Sequence, residues 1–327
     1  MLVSVIIPCF NESEVLAETH RRLVEVADHL RSQFDFEFIF VDDGSRDETA
    51  RVLHELTNGD DRVRGLRLSR NFGQQIATTA GLENAAGDAV VVMDADLQDP
   101  PELIEPMLAR WREGYHVAYA QRTERTGETA FKIWSARIFY RLVQRISRVS
   151  IPSDTGDFRL MDRRVVDAFL CMPERDRFLR GMVSWVGYRQ VAVPYKRAPR
   201  FAGRTNYPLF KMVRFATDAV VSFSFAPLRL AVWTGFFVIG LALLGIVYAV
   251  ILRFFADPSQ WVRGWASIFV AVLFMGGVQL VSLGIIGEYV GRIYGEVKQR
   301  PLYIVWERFG FRGDAAPTGA GPNRRLK

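Results

Sequence analysis

Short apolar runs alternate with amphipathic segments along the first half of the chain. The runs are rich in β-branched residues, which favour buried strands. They cover residues 3–8, 36–42, 63–68 and 89–93. Apolar residues recur with helical spacing from Leu16 to Leu30, and Ser45-Arg-Asp-Glu48 predicts a capping box at the start of a second helix. This order predicts an α/β fold with a mostly parallel, doubly wound sheet and helices on both faces.

Two longer apolar segments follow in the second half of the chain. Residues 231–252 and 266–287 each contain 22 residues without a charged side chain, close to the roughly 20 that a helix needs to cross a bilayer. The short extracytoplasmic loop 253–265 would make them a transmembrane hairpin, and basic flanks predict that both chain ends are cytoplasmic. Two buried core helices are the alternative. Residues 288–327 are predicted to form a cytosolic tail, disordered after about residue 313.

The segment 196–230, before the hairpin, combines apolar and basic residues. Its phenylalanines and valines are interspersed with Lys211, Arg214 and Arg229. This mixture predicts a donor-covering loop followed by amphipathic helices that lie in the membrane interface. An ordinary amphipathic core helix is the alternative.

Charge is distributed unevenly along the chain. The whole chain carries a formal net charge of +6, yet residues 1–195 hold 25 Lys/Arg and 30 Asp/Glu, a net charge of −5. Residues 196–230 carry +6 and residues 288–327 carry +4. Because the basic residues flank the apolar segments, they favour membrane headgroups over nucleic acid as the partner. Two cysteines and four histidines, without paired spacing, argue against a disulfide framework and a zinc site of the usual kind.

Acidic and amide side chains occupy the positions just after the predicted strands. The four turns are Pro8-Cys-Phe-Asn-Glu12, Val41-Asp-Asp-Gly-Ser45, Ser69-Arg-Asn-Phe-Gly73 and Asp94-Ala-Asp-Leu-Gln-Asp99. None contains the glycine pattern of a dinucleotide fold or a P-loop. Oxygens of Asp94, Asp96 and Gln98 can surround a hard cation, Mg²⁺ or Mn²⁺, which would neutralise a diphosphate. Asp42 and Asp43 lie where a nucleoside can bind, although a solvated turn is the alternative.

These turns and one later segment carry a family resemblance. The matching motifs are PxxNE at 8–12, VDDGS at 41–45, SRNFG at 69–73, DADLQDPPE at 94–102 and TGDFRLMDR at 155–163. They resemble the inverting GT-A glycosyltransferases that load a sugar onto a membrane polyprenyl phosphate. The likeness is stronger to bacterial undecaprenyl-phosphate glucosyltransferases than to dolichol-phosphate mannose synthase. It implies a Rossmann-like GT-A catalytic domain over residues 1–195.

The resemblance implies a multi-pass enzyme of the inner (cytoplasmic) membrane that transfers a sugar with inversion. The expected donor is a UDP-sugar, UDP-glucose above all, and the expected acceptor is undecaprenyl phosphate in the cytoplasmic leaflet, for cell-envelope glycan modification. Both termini and the catalytic domain are expected in the cytosol, and the chain is expected to form a homo-oligomer, such as the tetramers of similar proteins. Galactose, N-acetylglucosamine and 4-amino-arabinose derivatives remain open as the sugar, and Mg²⁺ and Mn²⁺ as the metal.

The resemblance also implies roles for individual residues. The nucleotide-sugar-binding residues are expected to be Pro8, Phe10, Asn11, Glu12, Asp42, Asp43, Asp94, Arg200 and Arg204. The metal ligands are expected to be Asp94, Asp96 and Gln98. The acceptor phosphate is expected to contact Arg122, Lys132 and Ser135. The catalytic residues are expected to be Asp96 and Asp157.

Asp157 and the donor-covering loop have more specific expected roles. Asp157 is expected to orient a substrate rather than to remove a proton, because a phosphate monoester is already an anionic nucleophile near neutral pH. The alternative is an aspartate bonded to loop amides or to Arg159. The predicted donor-covering loop resembles the family's RxxGxSK motif, but Asn206 stands where lysine is usual. Arg204 or Lys211 is hypothesised to supply the missing cation.

Two other functions agree with parts of the sequence. A processive polysaccharide synthase shares the GT-A fold, but Met107 stands where its QxxRW motif requires glutamine before Arg110-Trp111, and two spans are too few for a channel. A membrane-anchored nucleotide-sugar-binding or regulatory protein without turnover is the second alternative. The acidic set at the strand ends argues against it.

Overall fold

The computed structural model describes four stretches of the chain, which fall into two units. The described stretches are residues 1–123, 155–195, 226–255 and 264–311. The first unit is an α/β unit, whose described residues are 1–123, 155–195 and 300–311. The second is helical, with described residues 226–255 and 264–299. The predicted interfacial helices before residue 226, most of the predicted extracytoplasmic loop and the tail after residue 311 lie outside the described residues.

Strands and helices alternate along the first half of the α/β unit, as the hydrophobic pattern predicts. The strands are β1 (Leu2–Cys9), β2 (Asp35–Asp42), β3 (Val63–Leu68), β4 (Ala89–Val92), β5 (Val117–Arg122), β6 (Thr155–Asp162), β7 (Gln190–Tyr195) and β8 (Val305–Phe309). The helices are α1 (Leu16–His29), α2 (Thr49–Gly59), α3 (Gln74–Asn84), α4 (Ile104–Arg112), α5 (Arg163–Leu170) and α6 (Leu179–Trp185). The four predicted strands correspond to β1 to β4 and are confirmed.

All eight described strands belong to one sheet, in the order β7-β5-β6-β4-β1-β2-β3-β8. The central strands β4, β1, β2 and β3 run parallel, whereas β6 and β8 run antiparallel to their neighbours. The predicted mostly parallel sheet is therefore confirmed. Because parallel strands end at the same edge of a sheet, the turns after β1 to β4 meet there.

The sheet is buried on both faces because its strands are apolar at consecutive positions. In β1, Val5 and Ile7 pack into one apolar cluster with α1 and α4, whereas Ile6 packs into another with α3 and α5. Side chains alternate between the two faces of a strand, so the predicted helices on both faces are confirmed. Helix α3 lies close to the sheet, since a Cβ atom at Gly81 would lie only 2.2 Å from Ile6 Cγ2.

The start of α2 differs from the predicted capping box. The helix begins at Thr49, and the residue before it, Glu48, makes no capping hydrogen bond with its side chain. Instead, Asp47 Oδ1 accepts from the N–H of Thr49 (3.1 Å), and Ser45 Oγ accepts from the N–H of Asn11 (2.9 Å). The prediction was wrong because Ser45 lies too far before the helix and bonds to the neighbouring turn.

The segment after the helical unit returns to the sheet, although its sequence predicts a tail. β8 pairs with β3 and is itself the edge strand. A Cβ atom at Gly65 would lie 2.4 Å from Phe309 Cδ2, so only glycine fits opposite that ring. The Tyr303 hydroxyl hydrogen-bonds to Glu83, and Arg308 Nη2 donates to Asn84 Oδ1 (2.9 Å). Residues predicted as a cytosolic tail therefore complete one edge of the sheet.

The helical unit consists of α7 (Ala226–Phe255) and α8 (Trp265–Val297), which contact each other. The two predicted spanning segments lie inside these helices. α8 continues beyond the predicted end of the second segment at Gly287.

The two helices expose large apolar side chains in the single chain. Phe236, Leu244 and Leu280 have 64%, 68% and 72% of their surface exposed. Among the described residues, one segment, Phe274–Val297, is long and apolar enough to be a candidate membrane span. It lies within α8.

Candidate active site

Hydrogen bonds between side chain and main chain tie together the turns after β1 and β2. Asn11 donates its N–H to Ser45 Oγ (2.9 Å) and accepts at Oδ1 from the N–H of Arg46 (2.9 Å). Glu12 donates its N–H to Thr49 Oγ1 (3.0 Å). Asn11 has a φ of 56°, a left-handed conformation that asparagine adopts more readily than most residues. These bonds fix the backbone of the turn predicted to bind the nucleoside.

Two buried aspartates hold the turns after β2 and β3. Asp42 Oδ1 accepts from the N–H of Ser45 (2.8 Å). Asp43 accepts from the N–H of Phe72 at Oδ1 (2.7 Å) and from the N–H of Gly73 at Oδ2 (2.8 Å). Burial raises the pKa of Asp43 above its usual value, although the two backbone N–H groups oppose the shift. Both carboxylates therefore organise the turns themselves, and their contact with a nucleoside stays a prediction.

Pro8 and Phe10 mark the end of β1. Pro8 is buried in the strand, whereas Phe10 has 42% of its surface exposed. An exposed aromatic ring at a strand end offers a flat apolar surface on which a planar ring can stack. The predicted role of Phe10 at the nucleoside therefore has a suitable geometry.

The turn after β4 concentrates negative charge. Asp94, Asp96 and Asp99 follow this strand closely, and Asp157 of the neighbouring strand β6 lies near enough to act on Asp94. Burial raises the pKa of Asp94 to about 7, and the negative charges of Asp157, Asp96 and Asp99 add to the shift. Such a carboxyl group is stabilised in its ionised form by a nearby cation.

Two amide side chains belong to this acidic turn. Gln74, the first residue of α3, donates from Nε2 to Asp94 Oδ1 (2.6 Å). The main-chain N–H of Gln98 donates to Asp96 Oδ1 (3.1 Å), while Gln98 Oε1 is buried and finds no hydrogen-bond donor among the described residues. Leu97, between Asp96 and Gln98, has a φ of 55°, a strained conformation for leucine. A buried acceptor without a partner is costly, and a bound cation would satisfy it.

The predicted metal ligands can be tested against this geometry. In the described stretches, no group of three or more His, Cys, Asp or Glu side chains is arranged to hold a metal ion. The predicted set differs from such a group, because it combines the carboxylates of Asp94 and Asp96 with the amide oxygen of Gln98. The unpartnered Gln98 Oε1 and the crowded carboxylates fit an oxygen-preferring divalent cation, Mg²⁺ or Mn²⁺.

Asp157 is almost completely buried, and both of its carboxylate oxygens are bonded. Arg180 Nε donates to Oδ1 (2.7 Å) and Gln75 Nε2 donates to Oδ2 (3.2 Å). Burial raises the pKa of Asp157, but Arg180, Arg159 and Gln75 outweigh burial, so the pKa lies below its usual value. Arg159 does not bond to this carboxylate, since its guanidinium donates to the main-chain oxygens of Gly156 (3.0 Å) and Asp157 (3.3 Å).

Arg122, at the end of β5, lies beside the acidic turn. Its Nε donates to the Tyr195 hydroxyl (3.2 Å), and its Nη2 is 3.9 Å from Asp99 Oδ1. The Tyr195 hydroxyl in turn donates to Asp99, and burial together with this bond raises the pKa of Tyr195 to about 12. A Cβ atom at Gly156 would lie 3.3 Å from Arg122 Nη2. The predicted acceptor-phosphate residue Arg122 is thus adjacent to both the acidic turn and the strand that carries Asp157.

Some predicted site residues lie outside the described residues, and some observed ones were not predicted. Outside are Arg200, Arg204, Lys132 and Ser135, together with Asn206 and Lys211. The residues that sequence reasoning missed are Gln74, Gln75, Asp99, Arg180 and Tyr195. Gln74 and Gln75 directly follow the turn after β3, so a strand-end search extended by two residues would have found them. Arg180 and Tyr195 come from later elements and gave no local signal.

The α/β fold with acidic side chains at its strand ends agrees with a glycosyltransferase, and comparison with known families shows that class. Residues 4–170 match the family model for glycosyl transferase family 2, and residues 226–293 match the model for the GtrB C-terminal hairpin. The chain belongs to glycosyl transferase family 2. The predicted enzyme class is confirmed.

Several relatives are similar over nearly the whole chain. YkcC of Bacillus subtilis, named as an uncharacterized glycosyltransferase, is 48% identical over 94% of each chain. The SfII prophage-derived bactoprenol glucosyl transferase of Shigella flexneri is 39% identical over 93% of this chain and 97% of its own. A prophage bactoprenol glucosyl transferase homolog of Escherichia coli is 38% identical over 93% of this chain and 98% of its own.

A solved structure also aligns with the chain. It is glucosyl-3-phosphoglycerate synthase from Mycobacterium tuberculosis, in complex with Mn²⁺, UDP-glucose and phosphoglyceric acid. The TM-score is 0.41 with 21% sequence identity, over 67% of this chain and 77% of that chain.

Proposed function

We propose that this glycosyltransferase moves glucose from UDP-glucose to undecaprenyl phosphate, with inversion, at the cytoplasmic face of the inner membrane. The similarity to proteins named bactoprenol glucosyl transferase carries the proposal, because it extends over 93% of this chain at 38–39% identity. It therefore includes both the catalytic unit and the C-terminal hairpin. Bactoprenol is undecaprenol, the alcohol of the proposed acceptor.

The turns after β1, β2 and β3 would bind the nucleoside. Phe10 exposes its ring at the strand end, and Asn11 and Glu12 hold the backbone beside it. Asp42 and Asp43 keep these turns together through backbone N–H groups. A site that is rigid before the donor arrives loses less conformational entropy when the donor binds.

The acidic turn after β4 would bind the diphosphate through a divalent cation. Asp94, Asp96 and Gln98 would hold Mg²⁺ or Mn²⁺, because their oxygens suit it and Gln98 Oε1 is buried without a donor among the described residues. When bound, the ion would stabilise the negative charge that develops on the departing UDP. Arg200 and Arg204, outside the described residues, are proposed to add positive charge over the diphosphate.

The acceptor phosphate would attack from the opposite side of the sugar. One phosphate oxygen forms a bond to the anomeric carbon while the bond from that carbon to the UDP oxygen breaks, so the configuration inverts. A phosphate is already anionic, and the lowered pKa of Asp157 makes this carboxylate a weak base. We therefore assign Asp157 to orienting the reactants, and Arg122, Lys132 and Ser135 to the acceptor phosphate.

The helical unit would anchor the enzyme in the bilayer as a two-span hairpin. Its exposed apolar side chains suit lipid better than water. The sheet supports the topology, because β7 precedes the helical unit, β8 follows it, and both strands belong to the same sheet. A chain that leaves and re-enters one sheet must cross the membrane an even number of times. A homo-oligomer, such as a tetramer, is part of the proposal and stands on the family resemblance.

The function can be tested by supplying purified protein with Mg²⁺, undecaprenyl phosphate and radiolabelled UDP-glucose, UDP-galactose or UDP-N-acetylglucosamine in parallel. We expect label from UDP-glucose in the lipid extract, released as a monosaccharide by mild acid, and an inverted anomer by NMR. Label in a polymer would favour a processive synthase. Donor binding without product from any donor would favour a binding protein.

A further inference from the structure

The Asp157 carboxylate is held by side chains from two other elements. Arg180, in the first turn of α6, binds Oδ1 (2.7 Å), and Gln75, in the first turn of α3, binds Oδ2 (3.2 Å). Gln75 Oε1 also accepts from the N–H of Leu179, the first residue of α6 (2.9 Å). One glutamine therefore holds both the carboxylate and the helix that brings Arg180 to it.

The side chains that hold Asp157 are connected to the rest of the site through α3. Gln74, the neighbour of Gln75, donates to Asp94 Oδ1 (2.6 Å), so the start of α3 contacts acidic residues in the turn after β4 and in β6. Asp43 accepts from the two N–H groups just before α3, and Gly81 brings the helix against β1. The amide pair thus sits on a fixed helix rather than on a free loop.

A purely structural role for the ion pair explains these contacts less well. Replacing a buried ion pair with apolar side chains is often neutral or stabilising, because removing charges from water is costly. The surrounding backbone already has another anchor, since Arg159 donates to the main-chain oxygens of Gly156 and Asp157. The bonds from Arg180 and Gln75 act on the carboxylate itself, beside the acidic turn.

We propose that Arg180 and Gln75 are positioning residues for sugar transfer, which hold the Asp157 carboxylate in one orientation beside the acidic turn and act on the reactants through it. This inference rests on the proposed function and deepens it. Arg180 and Gln75 therefore influence the chemical step more than donor binding. The effects on kcat of removing these side chains and of removing the Asp157 carboxylate are therefore not additive.

The first test compares Arg180→Met, Arg180→Lys, Asp157→Asn and the double variant Arg180→Met/Asp157→Asn in the labelled UDP-glucose assay. We expect Arg180→Met to lower kcat about 100-fold, the effect typical of a displaced catalytic group, with KM for UDP-glucose within about threefold. Arg180→Lys should recover part of kcat because it keeps the charge. The double variant should be no slower than Asp157→Asn alone. Losses that multiply, or a rise in KM with kcat unchanged, would overturn the proposal.

The second test uses Gln75, where one substitution separates two roles. Gln75→Glu keeps an oxygen that can accept from Leu179 but places a second carboxylate against Asp157. If Gln75 positions Asp157, kcat should fall by about tenfold or more. Because the added charge also lowers stability, kcat is measured at a temperature at which the thermal melt shows the variant to be folded. Unchanged kcat would mean that Gln75 only caps α6, and the proposal would fail. This variant decides the matter even if Arg180→Met does not fold.

Arg177→Met is the matched control, because Arg177 precedes α6, stacks over Phe169 and donates to the main-chain oxygens of Met172 and Glu174 rather than to Asp157. Its kcat should equal that of the parent protein. The parent protein also separates this inference from the proposed function. A parent that makes no lipid-linked sugar refutes the function, whereas an active parent with equally active Arg180 and Gln75 variants refutes only the positioning role.

Discussion

The sheet edge at which β1 to β4 end has two halves, the turns after β2 and β3 and the acidic turn after β4. These two halves use aspartate in opposite ways. In the turns after β2 and β3, Asp43 bonds two backbone N–H groups of its own chain. In the turn after β4, three nearby carboxylates help raise the pKa of Asp94 to about 7, and Gln98 Oε1 has no donor among the described residues. Both carboxylate oxygens of Asp43 are bonded within the fold, whereas we propose that the acidic turn is completed by a cation. On this proposal, the same side chain organises a loop in one place and forms part of a ligand site in the other.

The largest expected effect lies in the acidic half. Asp96→Ala should lower turnover by about 1,000-fold or more, because the cation that stabilises the leaving UDP would lose a ligand. Membrane anchoring should not change. The measurement is lipid-linked glucose formed per enzyme, together with the fraction of protein in the membrane pellet. Asp35→Ala is the matched control, since Asp35 is exposed at the start of β2. Equal turnover in the two variants would show that Asp96 is not a metal ligand.

The second effect lies in the half that Asp43 holds and concerns stability. Asp43→Ala should lower the free energy of unfolding by about 2 kcal/mol, because the N–H groups of Phe72 and Gly73 would lose their acceptor. Urea denaturation of the detergent-solubilised protein measures the change. If Asp43→Ala unfolds at the same urea concentration as the parent, the first half does not depend on this carboxylate.

A third effect separates the halves by pH. The pKa of Asp94 in the folded protein, about 7, lies above the value near 4 of an unfolded aspartate, so its ionisation opposes folding. Without divalent ions, the free energy of unfolding should therefore fall as pH rises from about 4 to about 7. Asp94→Asn should therefore be more stable than the parent at pH 8 and not at pH 4. Thermal midpoints measured in EDTA at both pH values test this, and equal midpoints at pH 8 would contradict the crowding of charge.

The smallest effect lies away from both halves, two residues before β8. Tyr303→Phe removes a hydrogen bond between a partly exposed hydroxyl and the exposed Glu83, and should cost about 1 kcal/mol or less. Turnover should stay at the parental level. A large loss of turnover here would show that the edge strand influences the site, and would weaken the division into two halves.

The sequence predicts the regular parts of this molecule better than its long-range contacts. β1, β2 and β4 were found because they contain consecutive apolar residues, and β3 because Val63, Leu66 and Leu68 recur around its two arginines. The acidic turn was found because ligands bind where parallel strands end. The bond between Gln75 and Asp157 joins residues 82 positions apart, and no local pattern encodes it. β8 was missed because its short sequence, Val-Trp-Glu-Arg-Phe, includes two charged residues that suit an edge strand and also suit a tail.

The measurement that tests the central claim most directly is calorimetric titration of UDP into the detergent-solubilised protein, in Mg²⁺ and in EDTA. If the acidic half is completed by a cation, UDP should bind at least about tenfold more tightly in Mg²⁺, the effect of neutralising a diphosphate beside several carboxylates. Asp96→Ala should lose this difference, and Asp35→Ala should keep it. Equal affinity in Mg²⁺ and EDTA, with full sugar transfer in EDTA, would contradict the account.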